Sequence, residues 1–242
     1  MAGGADSVEG VTTMPPERLP QGDVKRRAVR TMFVSIAPRY NLVNRVLTFG
    51  LDRGWRRRAV RQLRLGAGAP VLDLACGTGD LCLELTSAGY RPIGIDLTFG
   101  MLSAAHTPAP LVQGDLLALP VATGSVEGAV CGFALRNLVG LEPFFAELHR
   151  VLTPGGRIAL LDVSRPDNRL LRAGHQLYFN QVVPRVGGWL SDRDAYAYLP
   201  RSVSYLPEPA EMLAMVERAG LTDIYRTQLS TGITQLITAT RP

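Results

Sequence analysis

Hydrophobic and polar residues follow two different spacings along this chain, and the spacing changes at Pro70. Before that residue, apolar side chains recur at helical intervals in three segments, 24–36, 40–47 and 53–65. After it, short apolar runs of strand length alternate with helical segments, which is typical of a parallel sheet covered by helices. We therefore predict a single α/β domain over 23–242 that carries a helical arm at 23–65.

Five parallel strands are expected at 70–74, 92–95, 111–112, 126–131 and 157–162, with 153–156 as a turn before the fifth. Helices are expected at 80–88, 98–106, 141–152 and 209–219, and the chain then ends in a hairpin of strands at 221–229 and 232–240. Asp52 is expected to cap the third arm helix. Segment 165–207 breaks the alternation, and residues 1–22 have the composition of a disordered leader.

A tight glycine turn, Gly77-Thr78-Gly79, follows the first strand and opens a helix at Asp80. Glycines permit positive φ and close approach of a ligand, and the helix N-terminus offers free N–H groups. The turn therefore predicts a nucleotide-type cofactor. Dinucleotide enzymes carry a third glycine three residues later, which this chain lacks, and no Gly-Lys-Ser/Thr indicates a P-loop.

Three carboxylates, Asp73, Asp96 and Asp115, stand at the ends of the first three strands. Ligands bind at the carboxyl ends of parallel strands, so Asp96 could accept ribose hydroxyls and Asp115 an adenine amino group. Acidic residues suit a cationic ligand and repel a pyrophosphate. The pattern favours S-adenosylmethionine, which has a sulfonium and an ammonium but no phosphate; the alternative is that these residues merely cap helices.

The basic residues cluster, because 12 of the 26 lysines and arginines lie between residues 23 and 64 while the net charge is only +5. Such an arm favours an anionic partner (a membrane surface, nucleic acid or an acidic ligand), or it is a solvated helical face. No apolar run is long enough to span a bilayer. The three cysteines, at 76, 82 and 131, are odd in number and lack metal-type spacing, which indicates a reducing cytoplasm and predicts no metal.

The Asp-x-Ala-x-Gly-x-Gly turn, together with Asp96 and Asp115, resembles the class I methyltransferases, whose first motif has glycine where Ala75 stands. The resemblance implies a Rossmann-like sheet with an antiparallel C-terminal hairpin, a helical N-terminal arm and an inserted cover before the last helix. It also implies S-adenosylmethionine as the methyl donor. The cofactor-binding residues expected are Asp73, Gly77, Thr78, Gly79, Asp96, Asp115, Leu116 and Gly132.

More specific motifs resemble the UbiE/MenG family, the C-methyltransferases of menaquinone and ubiquinone biosynthesis. They are Met32-Phe33-x-x-Ile36-Ala37-x-Arg39-Tyr40-x-x-x-Asn44, Phe49-Gly50-Leu51, Trp55-Arg56-Arg57, Leu135-Arg136-Asn137, Tyr196-x-Tyr198-Leu199-x-x-Ser202 and Thr231-Gly232-Ile233. The family often has histidine where Asp52 stands. The resemblance implies methylation of a ring carbon of a prenylated quinol, most closely demethylmenaquinol; a ubiquinone precursor or another aromatic or prenylated acceptor is the alternative.

A ring carbon becomes nucleophilic when the neighbouring hydroxyl loses its proton, so the site needs hydrogen bonds to a developing phenolate. The catalytic candidates are Tyr40, Asn44, Arg136 and Asn137; the plainer readings are a core tyrosine, helix or turn caps and a surface salt bridge. Arginine is a poor base because its pKa exceeds about 12.

If the substrate is soluble in the bilayer, the arm and segment 165–207 have an expected function, because together they could cover its isoprenoid tail. The arginines could dock on anionic lipid, so we expect a cytoplasmic protein with peripheral contact at the inner face of the cell membrane. The insertion is also a candidate interface for a homodimer. RNA binding is a competing reading of the basic arm, but stacking aromatics are not interleaved with the arginines, and no nucleic-acid partner is expected.

Overall fold

The structure, a computed structural model, describes residues 21–36, 40–166, 168, 171, 172, 174, 177, 178, 181, 183, 185 and 201–242. Residues 1–20, where most of the expected leader falls, and Tyr196, Tyr198 and Leu199 lie outside the described residues. Within the described part, no helix has the length and apolar character needed to cross a bilayer.

A seven-stranded sheet with the order β3-β2-β1-β4-β5-β7-β6 forms the centre of the molecule. The first five strands pair in parallel, and β7 pairs antiparallel with both β5 and β6. This arrangement confirms the predicted fold class and the C-terminal hairpin. The strands are β1 (Pro70–Leu74), β2 (Arg91–Asp96), β3 (Leu111–Gln113), β4 (Val126–Gly132), β5 (Leu152–Val163), β6 (Thr222–Leu229) and β7 (Thr234–Thr240).

Helices cover both faces of this sheet. They are α1 (Gly22–Ile36), α2 (Tyr40–Leu47), α3 (Leu51–Leu63), α4 (Asp80–Ser87), α5 (Phe99–Ser103), α6 (Leu141–Val151) and α7 (Pro209–Arg218). Side chains alternate across a strand, so Leu72 and Leu74 of β1 join the core under α6 and α7, whereas Val71 joins the core under α3 and α4. Asp73 shares the face of Val71, which places a carboxylate inside the second core.

The arm differs from the sequence prediction at its helix boundaries. α1 begins at Gly22, the last residue assigned to the leader. α3 begins at Leu51, two residues earlier than predicted, because Gly50 turns the chain with a left-handed φ of 73°. The prediction that Asp52 caps α3 is therefore wrong: Asp52 lies inside the first turn and accepts hydrogen bonds from the side chains of Thr48 and Arg56.

Two boundaries inside the α/β domain also differ. Residues 153–156 are part of β5 rather than a turn before it, and the register of β4 and β5 shifts between Val126 and Gly128 to accommodate them. α5 ends at Ser103, so the helix predicted to reach residue 106 is shorter.

The parallel strands all end at one edge of the sheet, and the arm lies over that edge. α1 contacts α5 and the 3₁₀ turn Leu135–Asn137, while α3 packs on β4 and β5. Asp73, Asp96 and Gly132, which come from three neighbouring strands, therefore face the arm across a common cleft.

Candidate active site

The turn after β1 has the backbone that its sequence requires. Gly77 and Gly79 adopt positive φ angles of 55° and 88°, and Gly79 caps the N-terminus of α4. A Cβ atom at Gly79 would lie 2.5 Å from the Cγ2 atom of Thr107, so the position also excludes a side chain for lack of space. Ala75 adopts a φ of 54°, which explains why the resembling motif has glycine there.

The Asp96 side chain connects this turn to the end of β2 by a hydrogen bond. Its carboxylate accepts hydrogen bonds from the backbone N–H of Gly77 at 2.9 Å and of Thr98 at 2.8 Å. Burial raises the pKa of Asp96, and the two backbone donors oppose that rise. A carboxylate has about four lone-pair positions, so Asp96 retains the capacity to accept ligand hydroxyls.

Asp73 is 1% exposed, and neither of its carboxylate oxygens has a hydrogen-bond partner at normal distance among the described residues, although the thiol and backbone N–H of Cys82 lie near enough to oppose the rise of its pKa. Burial raises its pKa to about 7. A buried polar group without a partner is costly, and such groups in a native structure often mark the place of a ligand or a water. The carboxylate lines the cleft, where it could receive an ammonium group.

Asp115 lies just after β3, and its carboxylate already has two partners within the protein. Its carboxylate accepts a hydrogen bond from the Leu117 N–H at 3.1 Å and forms an ion pair with the Arg26 side chain of α1 at 2.6 Å. The adjacent Leu116 is 4% exposed and lines the same cleft. The ion pair thus joins the arm to the position expected to recognise adenine.

These groups surround one cleft of about 130 Å³, which Thr78 and Gly132 also line. A Cβ atom at Gly132 would lie 2.8 Å from the Cδ1 atom of Leu81, so a side chain there would meet the first turn of α4. Ligand pockets usually measure at least about 300 Å³. This cleft is smaller than that, and Val29, Arg30 and Phe33 of α1 form the part of its lining that comes from the arm.

A second cavity of about 470 Å³ lies beside the first and is mainly apolar. The arm supplies much of its wall, including Met32, Ile36 and Leu47, and the described part of the insertion supplies Leu171, Gly174, Tyr178 and Val183. The hydroxyl of Tyr178 donates a hydrogen bond to the Leu47 carbonyl at 2.7 Å, which joins the insertion to the arm.

Three of the described residues line both cavities: Phe33, Arg56 and Phe133. Arg56 is the polar member, with a guanidinium carbon 5.7 Å from the centre of the Phe133 ring. It forms a buried ion pair with Asp52 and a second contact with Asp80 at 3.4 Å. The junction of the two cavities therefore carries one positive side chain held between two carboxylates.

Arg136 is buried and lines the apolar cavity. One guanidinium nitrogen donates to the carboxylate of Asp162 at 2.5 Å and to the Phe133 carbonyl at 2.6 Å. Sequence reasoning missed Asp162, which is 0% exposed. Its position at the end of β5, beside the end of β4, was the signal that could have identified it.

The other catalytic candidates lie in different places. Asn44 lines the apolar cavity, whereas Asn137 lines the carboxylate cleft. Tyr40 begins α2, but its side chain lies outside the described residues. Among the described residues, no group of three histidine, cysteine or acidic side chains could hold a metal ion.

The class I methyltransferase fold is defined here by three features together: the order of the strands in the sheet, the glycine turn after β1, and the carboxylates at the strand ends. A solved S-adenosylmethionine-dependent methyltransferase from Thermotoga maritima shares it, with a TM-score of 0.63, 18% identity, and coverage of 88% of this chain and 99% of that one. More specifically, the chain belongs to the ubiE/COQ5 methyltransferase family, whose profile matches residues 21–241. The family resemblance read from the sequence is confirmed.

Individual relatives agree with this assignment. The ubiquinone/menaquinone biosynthesis C-methyltransferase UbiE of Syntrophotalea carbinolica is 41% identical over 221 residues, which are 88% of this chain and 93% of that protein. The demethylmenaquinone methyltransferase of Deinococcus radiodurans is 42% identical over 221 residues, which are 86% of this chain and 92% of that protein.

Proposed function

We propose that this protein is an S-adenosylmethionine-dependent C-methyltransferase of quinone biosynthesis that converts demethylmenaquinol to menaquinol. Family membership and the names of the relatives support the reaction class. The observation that carries the proposal is the meeting of the two cavities, a carboxylate-lined cleft and a larger apolar cavity, at Phe33, Arg56 and Phe133. A cationic donor and an apolar acceptor would meet at that junction.

The residues of the cleft fit S-adenosylmethionine. The unpartnered carboxylate of Asp73 would receive its ammonium, Asp96 its ribose hydroxyls, and Asp115 beside Leu116 its adenine. The turn Gly77-Thr78-Gly79 and the small Gly132 would allow its close approach. When bound, the cofactor supplies an electrophilic methyl group on a sulfonium.

The apolar cavity would take the quinol ring and the first part of its prenyl tail. Its volume of about 470 Å³ is within the usual range for ligand pockets, roughly 300–1,000 Å³. In this proposal the arm at 23–65 binds the acceptor and segment 165–207 covers it. The hydrogen bond from Tyr178 to Leu47 supports that arrangement, because it holds this described residue of the insertion against the arm.

Arg136 would stabilise the negative charge that develops on the quinol oxygen. Its ion pair with Asp162 fixes the guanidinium at the wall of the cavity, and a preorganised donor stabilises a developing charge more effectively than a free one. Asn44, Asn137 and Tyr40 would supply further hydrogen bonds. Much of the rate would come from alignment of the donor and the acceptor.

Apolar residues near the acceptor cavity support a peripheral membrane contact. Phe49 is 79% exposed and Leu42 is 58% exposed, and both lie on or beside α2. Arg45 and Arg53 are exposed on the same part of the arm. Exposed apolar groups flanked by arginines suit an anionic lipid surface, from which a prenylated quinol could enter the cavity.

The reaction is tested with labelled S-adenosylmethionine and reduced demethylmenaquinone in detergent, with a demethylated ubiquinol precursor and RNA as competing acceptors. We expect label in menaquinol and none in RNA. Preferential labelling of the ubiquinol precursor would reassign the acceptor within quinone biosynthesis, and labelling of RNA alone would reject the proposal.

The membrane contact is tested separately by co-sedimentation with liposomes. We expect binding that increases with the fraction of anionic lipid and decreases with salt. The double variant F49S/L42S should bind more weakly than the wild type, whereas V112S, which removes an exposed valine from β3, should not. Binding that ignores lipid charge and salt would count against this contact.

A further inference from the structure

The apolar cavity contains one described carboxylate that could accept a proton from the hydroxyl group of a bound acceptor. Asp52 is the only carboxylate among its described lining residues, and no described histidine lines it. The other polar side chains described there are the Asn44 amide, the Trp55 indole, several hydroxyls, and the arginines Arg56 and Arg136. A guanidinium does not lose its proton in proteins and cannot serve as the base.

Asp52 is held rigidly in this position. It is 4% exposed, one carboxylate oxygen accepts a hydrogen bond from the Thr48 hydroxyl at 3.0 Å, and the other accepts from the Arg56 guanidinium. These two bonds occupy only part of the carboxylate's roughly four lone-pair positions. The remaining positions are available to a hydroxyl group in the cavity.

The neighbouring charges explain how such a carboxylate could act. Arg56 pairs with Asp52 from within α3, and Asp80 of α4 contacts the far side of Arg56 at 3.4 Å. Arg136, which is neutralised by Asp162 of β5, lines the same cavity. The proton acceptor thus lies beside Arg56, which would assist Arg136 in stabilising the oxygen that the proton leaves.

We propose that Asp52 is the general base of the methyl transfer, an inference that rests on the proposed function. As the acceptor's O–H bond breaks, its proton passes to Asp52 and its electron pair moves through the ring to form the new C–CH₃ bond. The S–CH₃ bond breaks and sulfur keeps its electrons. Water then removes the hydrogen of the methylated ring carbon, and Asp52 returns its proton to the oxygen, so one proton is released in total.

The first test is Asp52→Asn, which keeps the size of the side chain but cannot accept a proton. Its amide oxygen can accept a hydrogen bond from either Thr48 or Arg56, but its NH₂ group cannot accept the other. We expect kcat to fall by about 10²-fold or more, because general bases contribute roughly 10²–10⁴-fold. The dissociation constant of S-adenosylhomocysteine should change less than about twofold. Asp52→His should recover part of the rate, with an acidic limb of the pH profile near the ordinary imidazole value of about 6.5.

A positioning role is distinguished by varying the acceptor. If Asp52 removes the hydroxyl proton, the ratio of wild-type to D52N kcat should shrink as quinols with more acidic hydroxyls are used. The matched control is Glu84→Gln, which removes the carboxylate that pairs with Arg57 of α3 at 3.1 Å but leaves Asp52 in place; it should keep the wild-type pH profile.

The outcomes separate this inference from the function itself. A wild-type protein that methylates no quinol would reject the proposed function. A wild-type protein that does so, with D52N retaining more than about a hundredth of kcat or losing the same factor with every acceptor, would overturn only the role of Asp52. Circular dichroism and thermal melts of each variant exclude misfolding as the cause of a lost rate.

Discussion

Replacing Asp73 with asparagine should stabilise the unliganded protein and weaken its hold on the cofactor. The carboxylate is buried without a hydrogen-bond partner at normal distance, and burial, opposed by the nearby thiol and backbone N–H of Cys82, raises its pKa to about 7 from an ordinary value of 3.8. Asparagine has nearly the same shape and no charge. The variant therefore removes the charge and little else.

The expected gain in the free energy of unfolding follows from the pKa values of Asp73 in the unfolded and the folded chain. The unfolded chain releases this proton near pH 3.8 and the folded chain near pH 7. Between these values the folded state binds the additional proton, so the free energy of unfolding falls as the pH rises from about 4 to 7. At about 1.36 kcal/mol per pKa unit, the full cost of the carboxylate above pH 7 is about 4 kcal/mol.

Replacing Asp73 with asparagine does not recover the whole of this free energy, because a buried amide without a partner itself costs about 1–3 kcal/mol. We expect D73N to be more stable by roughly 1–3 kcal/mol at pH 8, and by almost nothing at pH 5. A chain of this size gains about 2–4 °C in Tm per kcal/mol, so the pH 8 shift should amount to several degrees.

Cofactor binding should change in the opposite direction. A hydrogen bond to a charged group contributes about 1.5–3 kcal/mol, so D73N should bind S-adenosylhomocysteine roughly 10- to 100-fold more weakly. Wild-type affinity should rise about eightfold from pH 6 to pH 7.5, because the ionised fraction of a group with a pKa of about 7 increases by that factor. D73N should lack this dependence.

Urea melts at pH 5 and pH 8, together with calorimetric titration of S-adenosylhomocysteine, measure both effects. D223N is the matched control, because Asp223 is exposed; its stability should stay within about 0.5 kcal/mol of the wild type. Equal stability of D73N and wild type at pH 8, or unchanged affinity for the ligand, would refute the role assigned to this carboxylate.

Three further predictions concern two ion pairs and one residue with a left-handed backbone angle. R136L leaves the buried charge of Asp162 unpaired and should lose about 3–5 kcal/mol in urea melts, whereas R136L/D162L should regain most of that stability without regaining turnover; recovered turnover would remove Arg136 from catalysis. A75G should gain about 0.5–1 kcal/mol by relieving a φ of 54°, while A88G, where φ is −86°, should lose a similar amount. R26Q frees Asp115 and should tighten S-adenosylhomocysteine binding by up to about fivefold, as expected of a partly exposed ion pair, whereas R27Q should not.

The strand-end carboxylates show how far sequence alone could define the site. Parallel strands must end at the same edge of a sheet, so Asp73, Asp96 and Asp115 could be placed near one another from strand spacing alone. Their partners could not be predicted in the same way. Arg26 lies 89 residues from Asp115 in sequence, and only the packing of α1 over the sheet brings the two together.

Asp52 illustrates a second limit. An acidic residue just before a helical pattern normally caps the helix, and that local rule predicted a cap here. The left-handed Gly50 starts α3 earlier and places Asp52 one turn before Arg56, so the two side chains pair across the helix surface. Because Gly50 caps α3 in place of Asp52, Asp52 lies within the first turn of the helix and its side chain lines the acceptor cavity.

Arg56 connects the two halves of the site. Its partner Asp52 belongs to the acceptor cavity, and its other contact, Asp80, is the first residue of the helix that the glycine turn opens. Any shift of α3 caused by an acceptor would therefore be felt at α4, beneath the cofactor cleft. Because binding free energies are reciprocal, any factor by which a bound quinol changes cofactor affinity through Arg56 must equal the factor by which the cofactor changes quinol affinity. Paired titrations of quinol with and without S-adenosylhomocysteine measure that factor, and equal quinol affinities would show that the contacts of Arg56 carry no coupling between the two parts of the site.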